Sequence, residues 1–163
     1  KLNLAVIGSI DAVADVKALK ELQLHKAVLL YLQGDGRRQM IDGTNYTVPL
    51  PLHDKYVRKG FKRLFDKRID EETSDLLDAK VLADGAGKSE EQLADLRFNI
   101  YLSELFVTEV VEPQTLLDLA NNRALEVKRN LVDVNAVSAE RIFISQGSAE
   151  NFESGAQVLL DLQ

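Results

Sequence analysis

The chain has 163 residues, of which 45% are hydrophobic. That is the size of one compact domain, able to bury about 70% of its unfolded surface, so no large second domain is expected. Twenty Lys and Arg against 26 Asp and Glu leave a net charge of −6, which argues against a general nucleic-acid binder. The absence of Cys removes disulfides, thiolate metal sites and Cys nucleophiles.

Leu2 to Gly8 reads as a strand, ended by Gly8-Ser9-Ile10-Asp11. No signal peptide is expected in this stretch, and the expectation is a domain cut from something longer. A helix from Val13 to Gln33 follows, with Asp11 or Asp15 able to cap it. Its first half is amphipathic through Val16, Leu19 and Leu22, whereas Ala27 to Leu32 is apolar all round and is expected to be enclosed. That run is also the longest uninterrupted apolar stretch, far short of the roughly 20 residues needed to span a bilayer. Gly34-Asp35-Gly36 breaks the helix, and residues 37–52, with Gly43, Pro49 and Pro51, read as an irregular connection.

Lys55 to Arg68 is a basic amphipathic segment in which Lys55, Arg58, Lys59, Lys62, Arg63, Lys67 and Arg68 surround Val57, Phe61, Leu64 and Phe65. Gly60 within it weakens a helix by about 1 kcal/mol relative to Ala. An acidic stretch containing Asp70, Glu71, Glu72, Asp75, Asp78 and Asp84 follows. The cations form either a patch for anionic lipid headgroups or an acidic partner, or a solvated helix face balanced by the neighbouring acids.

Gly85-Ala86-Gly87-Lys88-Ser89 imitates a phosphate-binding loop, but that motif needs a glycine where Leu82 stands. Ser89-Glu90-Glu91-Gln92 instead predicts a capping box opening a helix to about Phe106, with Leu93, Leu96, Ile100, Leu105 and Phe106, or a subset of them, on its buried side. From Pro113, suited to a first helical turn, a second long helix carries Leu116, Ala120, Ala124, Val127, Leu131 and Val134 on one stripe. Arg141-Ile142-Phe143-Ile144-Ser145 reads as a short buried strand closed by Gly147.

Catalytic groupings are sparse. His25 and His53 lack metal-type spacing, and Ser9, Ser145 and Ser148 lack a Gly-x-Ser-x-Gly context. The adjacent pairs Glu71-Glu72 and Glu90-Glu91 suit helix starts better than paired-carboxylate chemistry. No enzyme and no cofactor or metal is expected.

Leu22 to Ala27 and Leu119 to Ala124 share a pattern of Leu, three residues, a base and Ala, and the second continues to Glu140-Arg141-Ile142 and Gly147. This resembles the OmpA-like peptidoglycan-associated domain, in which a strand ending Gly-x-Thr-Asp precedes a Leu-Ser-x-x-Arg-Ala helix and a strand introduced by Arg-Ile. Ala156 to Leu162 looks like that family's closing strand. Over nearly its full length the chain resembles the C-terminal part of AsmA-like bacterial envelope proteins carrying a domain of unknown function. The shared features are Gly8 to Asp11, Lys55-Tyr56-Val57-Arg58-Lys59 and Leu119 to Ala124.

The resemblance implies a periplasmic domain of an inner-membrane-anchored parent protein, engaged in envelope maintenance or lipid transfer, with envelope proteins, peptidoglycan or anionic lipid headgroups as partners. It further implies a diaminopimelate site in which Asp11 faces the amine and Arg123, or Lys26 at the family's usual distance from the Asp, meets a carboxylate. The family's Thr stands here as Ile10 and its Ser as Gln23 or Ala120. The alternative is that Asp11 caps a helix while Arg123 and Lys26 make structural ion pairs. The expected architecture is one α+β domain, an OmpA-like two-layer sandwich. A small mixed sheet from residues 2–8, 141–145 and 156–162 is packed by two long helices, its core split between 1–33 and 113–163 by a mainly helical insertion, 34–112.

Overall fold

A computed structural model of the chain describes residues 3–34, 47–145 and 158–162. Among the described residues the protein is mostly helical with one small sheet, an α+β arrangement in the coarse sense. Its elements in order are β1 (Leu4–Gly8), α1 (Ala14–Gly34), α2 (Lys55–Arg68), α3 (Glu71–Asp84), α4 (Glu90–Thr108), α5 (Pro113–Asp133), a 3-10 turn (Ala139–Arg141), β2 (Ile142–Ser145) and β3 (Val158–Leu162). Gly43, Gly147 and Ser148 lie outside the described residues. The chain forms two compact units, Lys1–Leu19 with Val110–Gln163, and Lys20–Glu109. The division falls inside α1 rather than at residue 34, so residues 20–33, expected to pack on the sheet, belong with the helical segment.

In the first unit the strand order is β2-β1-β3. β1 runs parallel to β2, with Leu4 opposite Ile142 and Ile7 opposite Ser145, and antiparallel to β3, with Leu4 opposite Leu162 and Gly8 opposite Val158. A parallel pair needs a crossover rather than a hairpin, and the residues between β1 and β2 supply it. The central position of β1 explains why neighbouring Ala5 and Val6 are both buried, instead of alternating. Val6, Ala124 and Ile142 form the core, with Leu4, Val127, Leu131 and Ile144 packed against it.

Helix α5 covers this sheet. Pro113 stands in its first turn, as its fixed φ favours. Ala120 and Ala124, one turn apart, are its buried residues, and their small side chains let the helix lie close to β1. The approach is tightest at Gly8, where an added Cβ would land on the carbonyl of Ala120. Val134, assigned to the buried stripe by periodicity, is 72% exposed because the helix ends at Asp133 and Val134 is its C-cap.

The second unit is helical. Leu24, Val28 and Leu32 of α1, at i, i+4 and i+8, meet Val57, Phe61, Leu64 and Phe65 of α2 and Tyr101 and Leu105 of α4 in one core. Each fully buried Phe or Leu contributes about 1.5–3 kcal/mol relative to exposure. The apolar run Ala27 to Leu32 is not enclosed on every side. Leu30 is 69% exposed, because a helix packed along one stripe leaves the opposite residues facing out. Gly60 earns its place by contact: it is buried on α2, and a Cβ there would come 2.6 Å from Val28 Cγ1.

Local side-chain caps start these helices, and of them the sequence reading names only the one at Ser89. The Asp54 carboxylate accepts from the N–H groups of Tyr56 and Val57, and Asp70 from that of Thr73. The Ser89–Gln92 capping box is complete, with Ser89 N–H donating to Gln92 Oε1 at 2.9 Å and Gln92 N–H to Ser89 Oγ at 3.3 Å. Gly85 to Lys88 forms a turn between α3 and α4, closed by a bond from Lys88 N–H to the Gly85 carbonyl. A helix therefore precedes the Gly-rich loop where a phosphate-binding loop requires a strand.

Candidate functional site

Two places gather the residues singled out by the sequence, one in each unit. In the first unit, β1 ends at Gly8 and the chain turns through Ser9, Ile10 and Asp11 into α1. Asp11 Oδ1 accepts from Val13 N–H at 2.9 Å and Ala14 N–H at 2.7 Å, which is helix capping. Asp15, one turn on, points back, and its Oδ2 accepts from Asp11 N–H at 2.8 Å.

Arg123, on α5, closes a two-pronged fork onto this same Asp15. Nη1 donates to Oδ2 at 2.5 Å and Nη2 to Oδ1 at 2.6 Å, while Nη1 also reaches the Ser9 carbonyl at 3.1 Å. The side chains of Asp15 and Arg123 are only 11% and 28% exposed, so the pair is largely removed from water. The Arg123 guanidinium holds the Asp15 carboxyl below its ordinary pKa, outweighing the burial that pushes the other way, and Asp15 in turn raises that of Arg123. Bidentate geometry of this kind is the strong, directional form of an ion pair.

The fork that the resemblance aims at a diaminopimelate carboxylate is thus spent on a carboxylate of the chain itself. Asp11 remains close enough to add to the field on Arg123. Lys26 is an exposed residue of the other unit. Asp15 entered the sequence reading only as a possible cap. Nothing in the pattern of residues 9–15 distinguishes it from Asp11, because the pairing depends on a helix more than 100 positions away.

In the second unit, α2 and α4 bound an open groove of about 470 Å³. Its floor is Phe61, Phe98, Tyr101 and Leu102, and the basic residues Arg58, Lys59, Lys62 and Arg63 stand along the α2 side. Arg97 of α4 adds a cation that the sequence reading missed, although Arg97, Phe98 and Tyr101 recur at helical spacing. Lys55, another member of the basic segment, lies over the Tyr56 ring at 4.9 Å and is not part of the groove wall.

Several rim cations have neighbouring acids: Arg58 pairs with Asp95 at 2.5 Å, Lys62 with Asp66 at 2.7 Å and Arg97 with Asp78 at 3.3 Å. Arg58 also lies 4.8 Å from the Phe98 ring centroid and donates to the Leu52 carbonyl. Beneath the rim, the Tyr101 ring stacks on Phe65 with centroids 3.9 Å apart. The Tyr101 hydroxyl donates to Asp78 at 2.8 Å, and burial together with that carboxylate pushes its pKa up to about 12.

His25 is a structural residue: its Nδ1 accepts the Leu50 N–H at 2.8 Å, its ring meets Phe61 edge-on, and burial lowers its pKa. Among the described residues no group of three or more His, Asp or Glu is arranged to hold a metal ion, and no helix is long and apolar enough to cross a membrane. The chain matches no family model, no curated protein and no solved structure.

Proposed function

We propose that this chain is a non-enzymatic scaffold and interaction domain rather than a peptidoglycan-binding module. On its resemblance to AsmA-like envelope proteins, its place is the periplasmic part of a larger inner-membrane-anchored protein serving envelope maintenance or lipid transfer. The observation that carries this reading is the closed fork of Arg123 on Asp15. A diaminopimelate carboxylate would have to displace a partner that is covalently part of the chain, already oriented by Asp11 N–H and sheltered from water. Asp11, the other half of the implied site, has its Oδ1 engaged at the start of α1.

The competing reading, an OmpA-like diaminopimelate site at Asp11 and Arg123, is separated by titrating the 15N-labelled protein with a diaminopimelate-containing muropeptide. No shift at Asp11, Asp15 or Arg123 at millimolar ligand is expected; saturable shifts there would overturn the scaffold reading. The wider role is tested by deleting the segment from its parent protein. Loss of envelope integrity is expected, and an envelope indistinguishable from wild type would count against it.

A further inference from the structure

The groove between α2 and α4 combines two properties that surface helices seldom share. Its floor is aromatic and aliphatic, from Phe61, Phe98, Tyr101 and Leu102, and cations stand over it on both sides, Lys59, Lys62 and Arg63 on α2 and Arg97 on α4. In a chain of net charge −6 this is a local reversal of sign. We propose that the groove binds a single-chain amphiphile with an anionic head, the alkyl chain lying on the aromatic floor and the head meeting the rim cations. The inference stands on the groove's own geometry and does not depend on the scaffold reading.

Size favours such a ligand over a protein segment. The wall contributed by α4 runs from Ala94 to Leu102, which at the rise of an α-helix is about 12 Å. A stable protein partner needs roughly 800 Å² of surface on each side, far more than this short wall offers. A volume of about 470 Å³ falls instead within the range of small-ligand pockets, roughly 300–1,000 Å³.

The acids at the rim do not prevent binding. The Lys62–Asp66 and Arg97–Asp78 pairs are about half exposed, and pairs of that kind contribute so little that a ligand anion can replace the carboxylate. Lys59, Lys62 and Arg63 are themselves exposed, so their long side chains can rise to a head group while their stems cover the alkyl chain.

The test is calorimetric and NMR titration of the whole chain with alkyl phosphates of increasing length, each below its micelle concentration. The expected result is saturable one-to-one binding with shifts at Ala94, Phe98 and Leu102, tightening about fourfold per added methylene until the groove is filled. An alkyltrimethylammonium of equal chain length is expected to bind at least tenfold more weakly, and inorganic phosphate alone not at all. Ala94→Phe, which fills the groove from an exposed position, and the exposed double change Lys59→Glu/Arg63→Glu are each expected to lower affinity at least tenfold with unchanged circular dichroism. Equal binding of the cationic amphiphile, undiminished binding by both variants, saturation by inorganic phosphate, or shifts seen only with anionic vesicles or an acidic peptide would each overturn the proposal.

Discussion

Replacing Arg123 by Ala removes both prongs of the fork and the bond to the Ser9 carbonyl, and leaves the Asp11 N–H donating to Asp15. Breaking a buried pair from one side costs about 3–5 kcal/mol, because the remaining charge stays desolvated. Arg123 is 28% exposed, so water reaches part of the vacated space and the low end, about 3 kcal/mol, is expected. In a chain of this length that corresponds to a fall in melting temperature of about 6–12 °C. Arg123→Lys keeps the charge but not the fork and should lose about 1–2 kcal/mol. Asp15→Asn combined with Arg123→Met should lose less than the two single changes together, by about 2 kcal/mol of coupling. Urea unfolding, with amide exchange at Ala5 and Val6 reporting on the first unit, measures each of these variants. The pair also has a pH signature. The folded pKa of Asp15 is depressed, so its contribution is full above the unfolded carboxylate value near 3.8 and is lost as pH falls through the lower folded value. That acid-side loss should shrink in Arg123→Ala. A cost below about 0.5 kcal/mol, or strict additivity in the double variant, would refute the assignment of a tight internal pair.

Gly8→Ala should destabilise by about 1–3 kcal/mol, since its Cβ meets the backbone carbonyl of Ala120 and no rotamer change relieves it; an unchanged thermal melt would contradict the close helix–strand approach. Gly60→Ala gains about 1 kcal/mol of helix propensity, yet a net loss is expected from the contact with Val28. A Val28→Ala background should convert that loss toward a gain in a double-mutant cycle. Protonating His25 turns Nδ1 from acceptor to donor and breaks its bond from Leu50 N–H. Its pKa is depressed, so stability should be level above about 6.5 and fall as pH drops through the lower folded value; urea midpoints of wild type and His25→Gln between acid and neutral pH compare the slopes. Ser89→Ala should lose about 1 kcal/mol with the capping box, read as faster amide exchange in the first turn of α4.

The sequence by itself determined the features whose causes are local. Capping chemistry at Ser89 and Gln92 needs only neighbouring residues, and Pro113 sets its own φ, so both helix starts were legible. The stripe on α5 followed from the helical period, and β1 and β2 from their apolar runs, whereas on α1 the residues that periodicity named, Val16, Leu19 and Leu22, are only partly buried and the core stripe is Leu24, Val28 and Leu32. Leu30, in a run that is apolar all round, faces out because α1 packs along one stripe only, and Val134 is exposed because periodicity names a face but not where the helix ends. The sharp turn after β1 was legible as well, but not which carboxylate in it would be capped and which would be paired.

Tertiary structure alone decided that question. Asp11 and Asp15 are the same residue type four positions apart, and only the arrival of Arg123 from α5 assigns one to the helix start and the other to the ion pair. The groove is likewise a property of two helices. The cations of α2 were evident in sequence, but whether they crowned an apolar floor depended on Phe98, Tyr101 and Leu102 arriving from α4. The basis of Gly8 and Gly60 is of the same kind, a partner at contact distance from a distant segment. Hydrogen bonds and van der Waals contacts act over a few ångströms, so a residue's role is written locally only when its partner is local in the chain.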